Sequence, residues 1–137
     1  MKRLIELLER YGGSPDSDIR ELWKRIVLSV LISNTDDHLR NHGFLLSPDG
    51  WRLSPVYDIN PNPAGRGLSL NISEDDNSLD PELCLEVAGF FRWSAAEAKS
   101  YVERASSIVS SWPRYARELG IPAAEQVMME PAFMSTH

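Results

Sequence analysis

From Ile19 to Ile32 the chain carries Ile19, Leu22, Trp23, Ile26, Val27, Val30 and Leu31 at the i, i+3, i+4, i+7 spacing of a helix. The later half, Ile26 to Ile32, is apolar nearly all round. Such a helix cannot lie on a surface and has to be covered on several sides. The fold must therefore be built around this segment, which ends where an unusually polar stretch begins.

The flanking segments supply the cover. Leu4, Ile5, Leu7, Leu8 and Tyr11 predict a first helix stopped by Gly12-Gly13, and Ser14 to Asp18 read as a turn leading into capping residues. Phe44-Leu45-Leu46 and Trp51-Arg52-Leu53 around Ser47-Pro48-Asp49-Gly50 predict a hairpin. The Pro- and Gly-rich run from Asn60 to Gly67 excludes a helix or an inner strand, and the alternation Leu68-Ser69-Leu70-Asn71-Ile72 predicts a short strand before an acidic loop. Helices follow from Pro81 to Phe91, from Ser94-Ala95-Ala96-Glu97 (a capping box) through Trp112, and from Pro122 to Met129, with a tail beyond. Pro113 either kinks the second of these or opens another helix ending at Gly120. With no internal repeat and no linker, residues 1–137 read as one domain, long enough to bury a core.

Composition removes several classes of function. At 42% apolar and 25% charged residues the chain is in the range of ordinary globular domains, not disordered ones. A net charge of −6 without a basic stripe argues against nonspecific nucleic-acid binding. Cys84, the single cysteine, allows neither a disulfide framework nor a cysteine zinc site and reads as a small buried hydrophobe. The four tryptophans read as core or hairpin cover. No run reaches the roughly 18 apolar residues of a membrane span, and the N-terminus does not read as a signal peptide, so a cytoplasmic protein is expected.

The polar stretch is Asn34-Thr35-Asp36-Asp37-His38-Leu39-Arg40-Asn41-His42-Gly43, and beyond the hairpin comes Tyr57-Asp58-Ile59-Asn60-Pro61. Asp36, Asn41 and Asp58 carry hard oxygen ligands suited to magnesium. Phosphoryl transfer needs one carboxylate to accept the attacking hydroxyl's proton, and oxygen ligands to hold magnesium on the phosphates. An Asp, an Asn five residues later and an Asp after a hairpin is the order of those parts in protein kinases. Other readings stand beside it. Asn34, Thr35 and Asp36 could cap a one-turn helix ending at Gly43, with Asp37 favouring its N-terminus, and Asp58 could be a turn former. His38 and His42 have the spacing of half a zinc helix, but Leu39 stands where a metalloprotease carries glutamate. A metal-dependent hydrolase would use Asp36, Asp37, His38 and His42.

These residues, from Asn34 to Phe44 and from Leu53 to Pro61, resemble the C-terminal lobe of HipA-like serine/threonine kinases, the toxins of HipA–HipB toxin–antitoxin systems. The similarity continues through Ser94 to Ala98, Trp112 and Met128 to Phe133. It covers nearly the whole chain, but only the C-terminal part of a typical family member. The resemblance implies a mainly α, protein-kinase-like C-lobe with a small β-hairpin carrying the site. By position, Asp36 would be the catalytic base toward a protein serine or threonine. Asn41 and Asp58 would hold Mg2+, and His38, Arg40, Asn41, Tyr57 and Asp58 would bind ATP. The histidine follows the catalytic Asp instead of preceding it, in agreement with the HipA-like pattern.

One departure matters. A kinase also needs a phosphate-covering loop and a lysine on the phosphates, yet Gly12-Gly13 is an isolated turn and Lys2 and Lys24 fall on helical patterns. The N-terminal nucleotide-gripping lobe is expected to be absent, as in a short reading frame, a truncated gene or one half of a split toxin. The expectation is a HipA-like kinase C-lobe with little or no phosphoryl transfer alone, Mg2+ and ATP binding only with the missing lobe. The alternative is a non-catalytic binding module that pairs with a separate N-lobe chain or a HipB-like antitoxin.

Overall fold

A computed structural model describes residues 1–136. Its axis is the helix expected from the apolar pattern. Here α1 spans Lys2–Tyr11 and α2 spans Pro15–Leu31. Pro15 opens α2, with Asp16 and Asp18 in the first turn, where carboxylates complement the helix dipole. Ile19, Leu22, Trp23, Ile26, Val27, Val30 and Leu31 are all at most 1% exposed. Elements from both ends of the chain produce that burial. Packed on α2 are α1, α3 (Pro81–Val87), the 3-10 turn Ala88–Phe91, α4 (Ala95–Ser110) and the segment Glu130–Thr136. Trp23 is the largest buried side chain. Its indole N–H donates to the Cys84 carbonyl at 2.9 Å, and its ring lies 4.7 Å from Trp93 and 5.6 Å from Tyr101. Burial pushes the Cys84 thiol up to about 12, so it stays a neutral packing group.

The hairpin forms as expected. Strand β1 (Phe44–Ser47) pairs antiparallel with β2 (Gly50–Leu53), Phe44 opposite Leu53 and Ser47 opposite Gly50. Gly50 has φ +134°, and a Cβ there would stand 2.8 Å from backbone atoms of Tyr11 and Gly13, so this close approach requires glycine. The buried Asp18 carboxylate anchors the hairpin to α2, accepting from Arg52 Nε (2.9 Å), Arg52 Nη2 (3.2 Å) and the Leu53 N–H (2.9 Å).

The expected strand over Leu68–Ile72 does not form. Its alternation is real, for Leu68 and Ile72 are buried while Ser69 and Asn71 are exposed. A strand also needs a neighbouring edge, however. These backbone groups bond instead to their own loop, Leu68 N–H to the Asn77 carbonyl and Ile72 N–H to the Asp76 carbonyl, both at 2.8 Å.

The later helices match their sequence signals closely. Asp80 caps α3, and Ser94 with Glu97 forms the capping box of α4, which holds the Glu97 carboxyl below its usual range. Pro113 lies in the first turn of α5 (Trp112–Glu118) and does not kink α4, and Gly120 with φ +74° follows. Helix α6 spans Ala123–Met129. The tail is no loose end: through Thr136 it is a 3-10 segment, with Phe133 stacked on Trp112 at 4.6 Å. Among the described residues no helix is long and apolar enough to cross a membrane.

Candidate active site

Helix α2 stops at a left-handed residue, Ser33 (φ +55°), whose hydroxyl donates to the Ala132 carbonyl at 2.7 Å. The polar stretch then starts on firm ground. Asn34 is buried; its Nδ2 donates to Ser29 Oγ on α2 (3.2 Å) and its Oδ1 accepts the Asn60 N–H (3.4 Å). Thr35 Oγ1 accepts from Asn62 Nδ2 (2.8 Å), and the Ser33 carbonyl accepts from the Asn62 N–H (3.1 Å). At Gly65 a Cβ would come within 2.4 Å of the Thr35 methyl. The proline- and glycine-rich run thus serves as the second wall of the site, laid against residues 33–35.

The carboxylates then diverge. Asp36 is exposed, its Oδ1 2.8 Å from His38 Nε2. Asp37 is buried, its Oδ1 3.0 Å from Nε2 of the buried His42. That second contact is at ion-pair distance but off the N–H direction, so neither ring nitrogen of His42 makes an aligned hydrogen bond. Between the pairs, Leu39–Asn41 forms a single 3-10 turn. Asn41 closes it by accepting the His38 N–H on Oδ1 at 2.8 Å.

Asn41 also reaches the second wall. Its Nδ2 donates to Asp58 Oδ2 at 3.0 Å, and Asp58 Oδ1 accepts from Asn60 Nδ2 at 3.0 Å. Asp58 has φ +57°, a conformation that L-residues with a side chain adopt at a cost and that concentrates at functional sites. Next to it, Tyr57 donates its hydroxyl to the Arg40 carbonyl at 2.6 Å. Gly43 lies close by, where a Cβ would come within 2.9 Å of Ser54 Oγ.

Of the residues singled out from sequence, Asn41 and Asp58 touch, Tyr57 holds Arg40 by its backbone, and Asp36 pairs with His38. The Arg40 side chain is exposed and makes no ion pair among the described residues. Two readings need correction. Asn34 to Asp36 do not cap the turn, because Asn34 is occupied between α2 and Asn60, and the Asn41 side chain holds the turn's first N–H. Nor do Asp36, Asp37, His38 and His42 converge, since each histidine has its own aspartate and no group of three or more His, Cys, Asp or Glu gathers among the described residues. Sequence reasoning missed Asn34, Asn60, Asn62 and the Asp37–His42 pair. One signal was present: Asp37 to His42 repeats the gap of five from Asp36 to Asn41, shifted by one.

Asp58 and Asn41 carry oxygens of the type a hard divalent cation takes, although the Asn41 atom that faces Asp58 is its amide nitrogen. Asp58 brings two carboxylate oxygens, and the Asn41 carbonyl oxygen has a second lone pair beyond the one bonded to His38. The exposed setting of Asp58 leaves room for water or phosphate oxygens.

The family model of the HipA-like C-terminal domain matches residues 1–130. A protein of Sinorhizobium fredii (strain NBRC 101917 / NGR234) named "Putative kinase Y4mE" is 29% identical over 58 residues, which is 42% of this chain and 14% of that protein. The chain thus covers a small part of this relative's length.

Proposed function

The chain belongs to the HipA-like C-terminal domain family, and on that premise we propose that it carries the catalytic residues of a protein serine/threonine kinase, with the architecture of a kinase C-lobe. The observation that best supports this reading is the 3.0 Å contact between Asn41 and Asp58, which lie on either side of the hairpin. It joins the two oxygen-ligand residues that follow Asp36 in kinase order.

In this reading Asp36 accepts the proton of a substrate serine or threonine hydroxyl as its oxygen attacks the terminal phosphoryl group of ATP and ADP leaves. An exposed carboxylate can meet a protein substrate directly, and His38 at 2.8 Å orients it. Asn41 and Asp58 would hold magnesium, which supplies charge neutralisation on the phosphates when bound. His38, Arg40 and Tyr57 line the nucleotide side: Tyr57 fixes the backbone at Arg40, leaving the Arg40 guanidinium free to meet phosphate. Positioning by this lobe alone leaves the phosphates ungripped. Lys2 and Lys24 lie on α1 and α2, Lys24 beside Glu21 at 3.9 Å, and neither takes the part of a phosphate lysine.

The test is a titration of Mg2+ and ATP into the wild type and Asp58→Asn, with a phosphorylation assay on Asp36→Ala. Binding in the wild type that Asp58→Asn abolishes would mean that the site holds magnesium and nucleotide without a second lobe. Binding in neither would leave a scaffold. Phosphoryl transfer by these 137 residues alone, abolished by Asp36→Ala, would overturn the expected dependence on a second lobe.

A second reading, a binding module for a separate N-lobe chain or a HipB-like antitoxin, is favoured by one feature. A groove of about 570 Å3 runs between α1 and the Ala88–Phe91 turn, lined by Ile5, Ile72, Val87 and Phe90, the last 73% exposed. A purified chain that stays monomeric and forms no complex when co-expressed with either candidate partner would remove this reading.

A further inference from the structure

We propose that the buried Asp37–His42 pair is a positioning clamp, which fixes the turn between Asp36 and Asn41 and so sets how those two side chains are presented. The proposal rests on the roles given above to Asp36, Asn41 and Asp58.

Asp37 follows Asp36 and His42 follows Asn41, so the 3.0 Å contact between Asp37 and His42 ties the chain together at the residues adjoining the two candidates. The clamp lies beneath and the chemistry above. Side-chain exposure is 8% for Asp37 and 3% for His42, against 77% for Asp36. The turn's other tertiary ties, from Tyr57 to the Arg40 carbonyl and from Asn41 to Asp58, are exposed and come from the second wall, so the Asp37–His42 pair is its buried support. A single three-residue 3-10 turn is weak by itself, and one side-chain bond, from the His38 N–H to Asn41, closes it. Polar side chains as buried as these persist where they partner each other, because either alone would be stranded away from water. The pair also borders a cavity of about 10 Å3 that Arg25, Asn34, Asn41 and Tyr57 line with it. That space holds about one water molecule, within reach of the unpaired polar atoms of His42 and Arg25. Movement of His42 would therefore be felt directly at Asn41.

The experiment compares this chain with Asp37→Asn, His42→Gln and their double variant, reading amide hydrogen exchange across residues 36–41 and Mn2+ binding by paramagnetic broadening at Asn41 and Asp58. Each single variant should speed exchange in the turn by about tenfold while the α2 amides keep wild-type rates. The double variant should exchange no faster than either single one, because a broken pair cannot be broken twice. Mn2+ affinity should fall by about tenfold, as it does when a supporting group behind a metal ligand is removed. Folded variants with wild-type exchange, or a double variant whose effect is the product of the singles, would overturn the clamp. If the single variants do not fold, Asp37→Ala with His42→Phe should fold with a loosened turn, since it strands no polar group; failure of that double variant to fold would also overturn it. A loosened turn with no Mn2+ binding even in the wild type removes the metal reading and keeps the clamp. Wild-type Mn2+ affinity in a folded Asp37→Asn removes the clamp and keeps the metal reading.

Discussion

Two aspartate–histidine pairs stand in one loop, a residue out of step, and differ in almost everything except their chemistry. Asp36 and His38 meet at 2.8 Å with side chains 77% and 38% exposed; Asp37 and His42 meet at 3.0 Å with 8% and 3%. Water can replace either partner of the first pair, so that contact adds little to stability and leaves Asp36 open to a substrate. The second pair is cut off from bulk solvent, so loss of one partner leaves the other buried without its counterpart, and the pair constrains the fold. Residue type and spacing nominate both pairs alike, and burial separates the one open to solvent from the one packed inside.

The sharpest way to break this contrast is to remove the two histidines in turn. His42→Ala strands the Asp37 carboxylate and should cost about 3 kcal/mol or more in chemical denaturation. His38→Ala should cost less than about 1 kcal/mol. Equal losses would mean that burial does not separate the pairs.

A buried carboxylate elsewhere extends the comparison. Asp18, with a side chain 6% exposed, anchors the hairpin through two bonds from Arg52 and one from the Leu53 N–H. Asp18→Ala should cost about 2 kcal/mol. It should also speed hydrogen exchange in β1 and β2 ahead of α4, which shares no bond with Asp18. A loss as small as that at His38 would place Asp18 with the exposed pair.

The sequence carried much of this, unevenly. The α2 core, the hairpin and the Ser94–Glu97 box were legible because each rests on short-range periodicity or on one local hydrogen-bond pattern. The Leu68–Ile72 strand failed because alternation says which side faces the core and nothing about whether a neighbouring edge exists. At the site, the position of Asp58 after the hairpin pointed to a residue that touches Asn41, while Asp36 pairs with His38. The sequence could not say which Asp of Asp36-Asp37 turns inward, because that depends on His42 and on the side of the loop covered by α2. Nor could it show that Asn34, Asn60 and Asn62 join two loops more than twenty residues apart. That bridging depends on tertiary contact, and carboxamides near prolines read locally as turn formers.

Asp58 tests a third position in the comparison, an exposed carboxylate held under strain. Its φ of +57° disfavours any residue with a Cβ, so Asp58→Gly relieves about 1 kcal/mol of backbone cost while losing exposed hydrogen bonds from Asn41 and Asn60. The two effects nearly cancel. Thermal unfolding should shift by no more than about 3 °C in either direction, while Mg2+ binding, where the wild type shows it, is lost. A large drop in midpoint would mean that Asp58 supports the fold as Asp37 does.

The smallest effect on stability belongs to the residue proposed to do the chemistry. Asp36→Asn keeps the size and shape of a side chain already in water and removes only an exposed charge beside His38. Since exposed pairs contribute about 0–1 kcal/mol, the denaturation midpoint should stay close to that of the wild type. Exchange across residues 36–41 should also be unchanged, because the turn is held from beneath by Asp37 and His42 and at its start by the Asn41 bond to the His38 N–H. A midpoint well below the wild type would mean that the Asp36–His38 contact organises the loop, and the division between an exposed reacting group and a buried supporting pair would fail. An unchanged midpoint would make any loss of phosphoryl transfer in this variant attributable to Asp36 itself, since the surrounding loop would be intact.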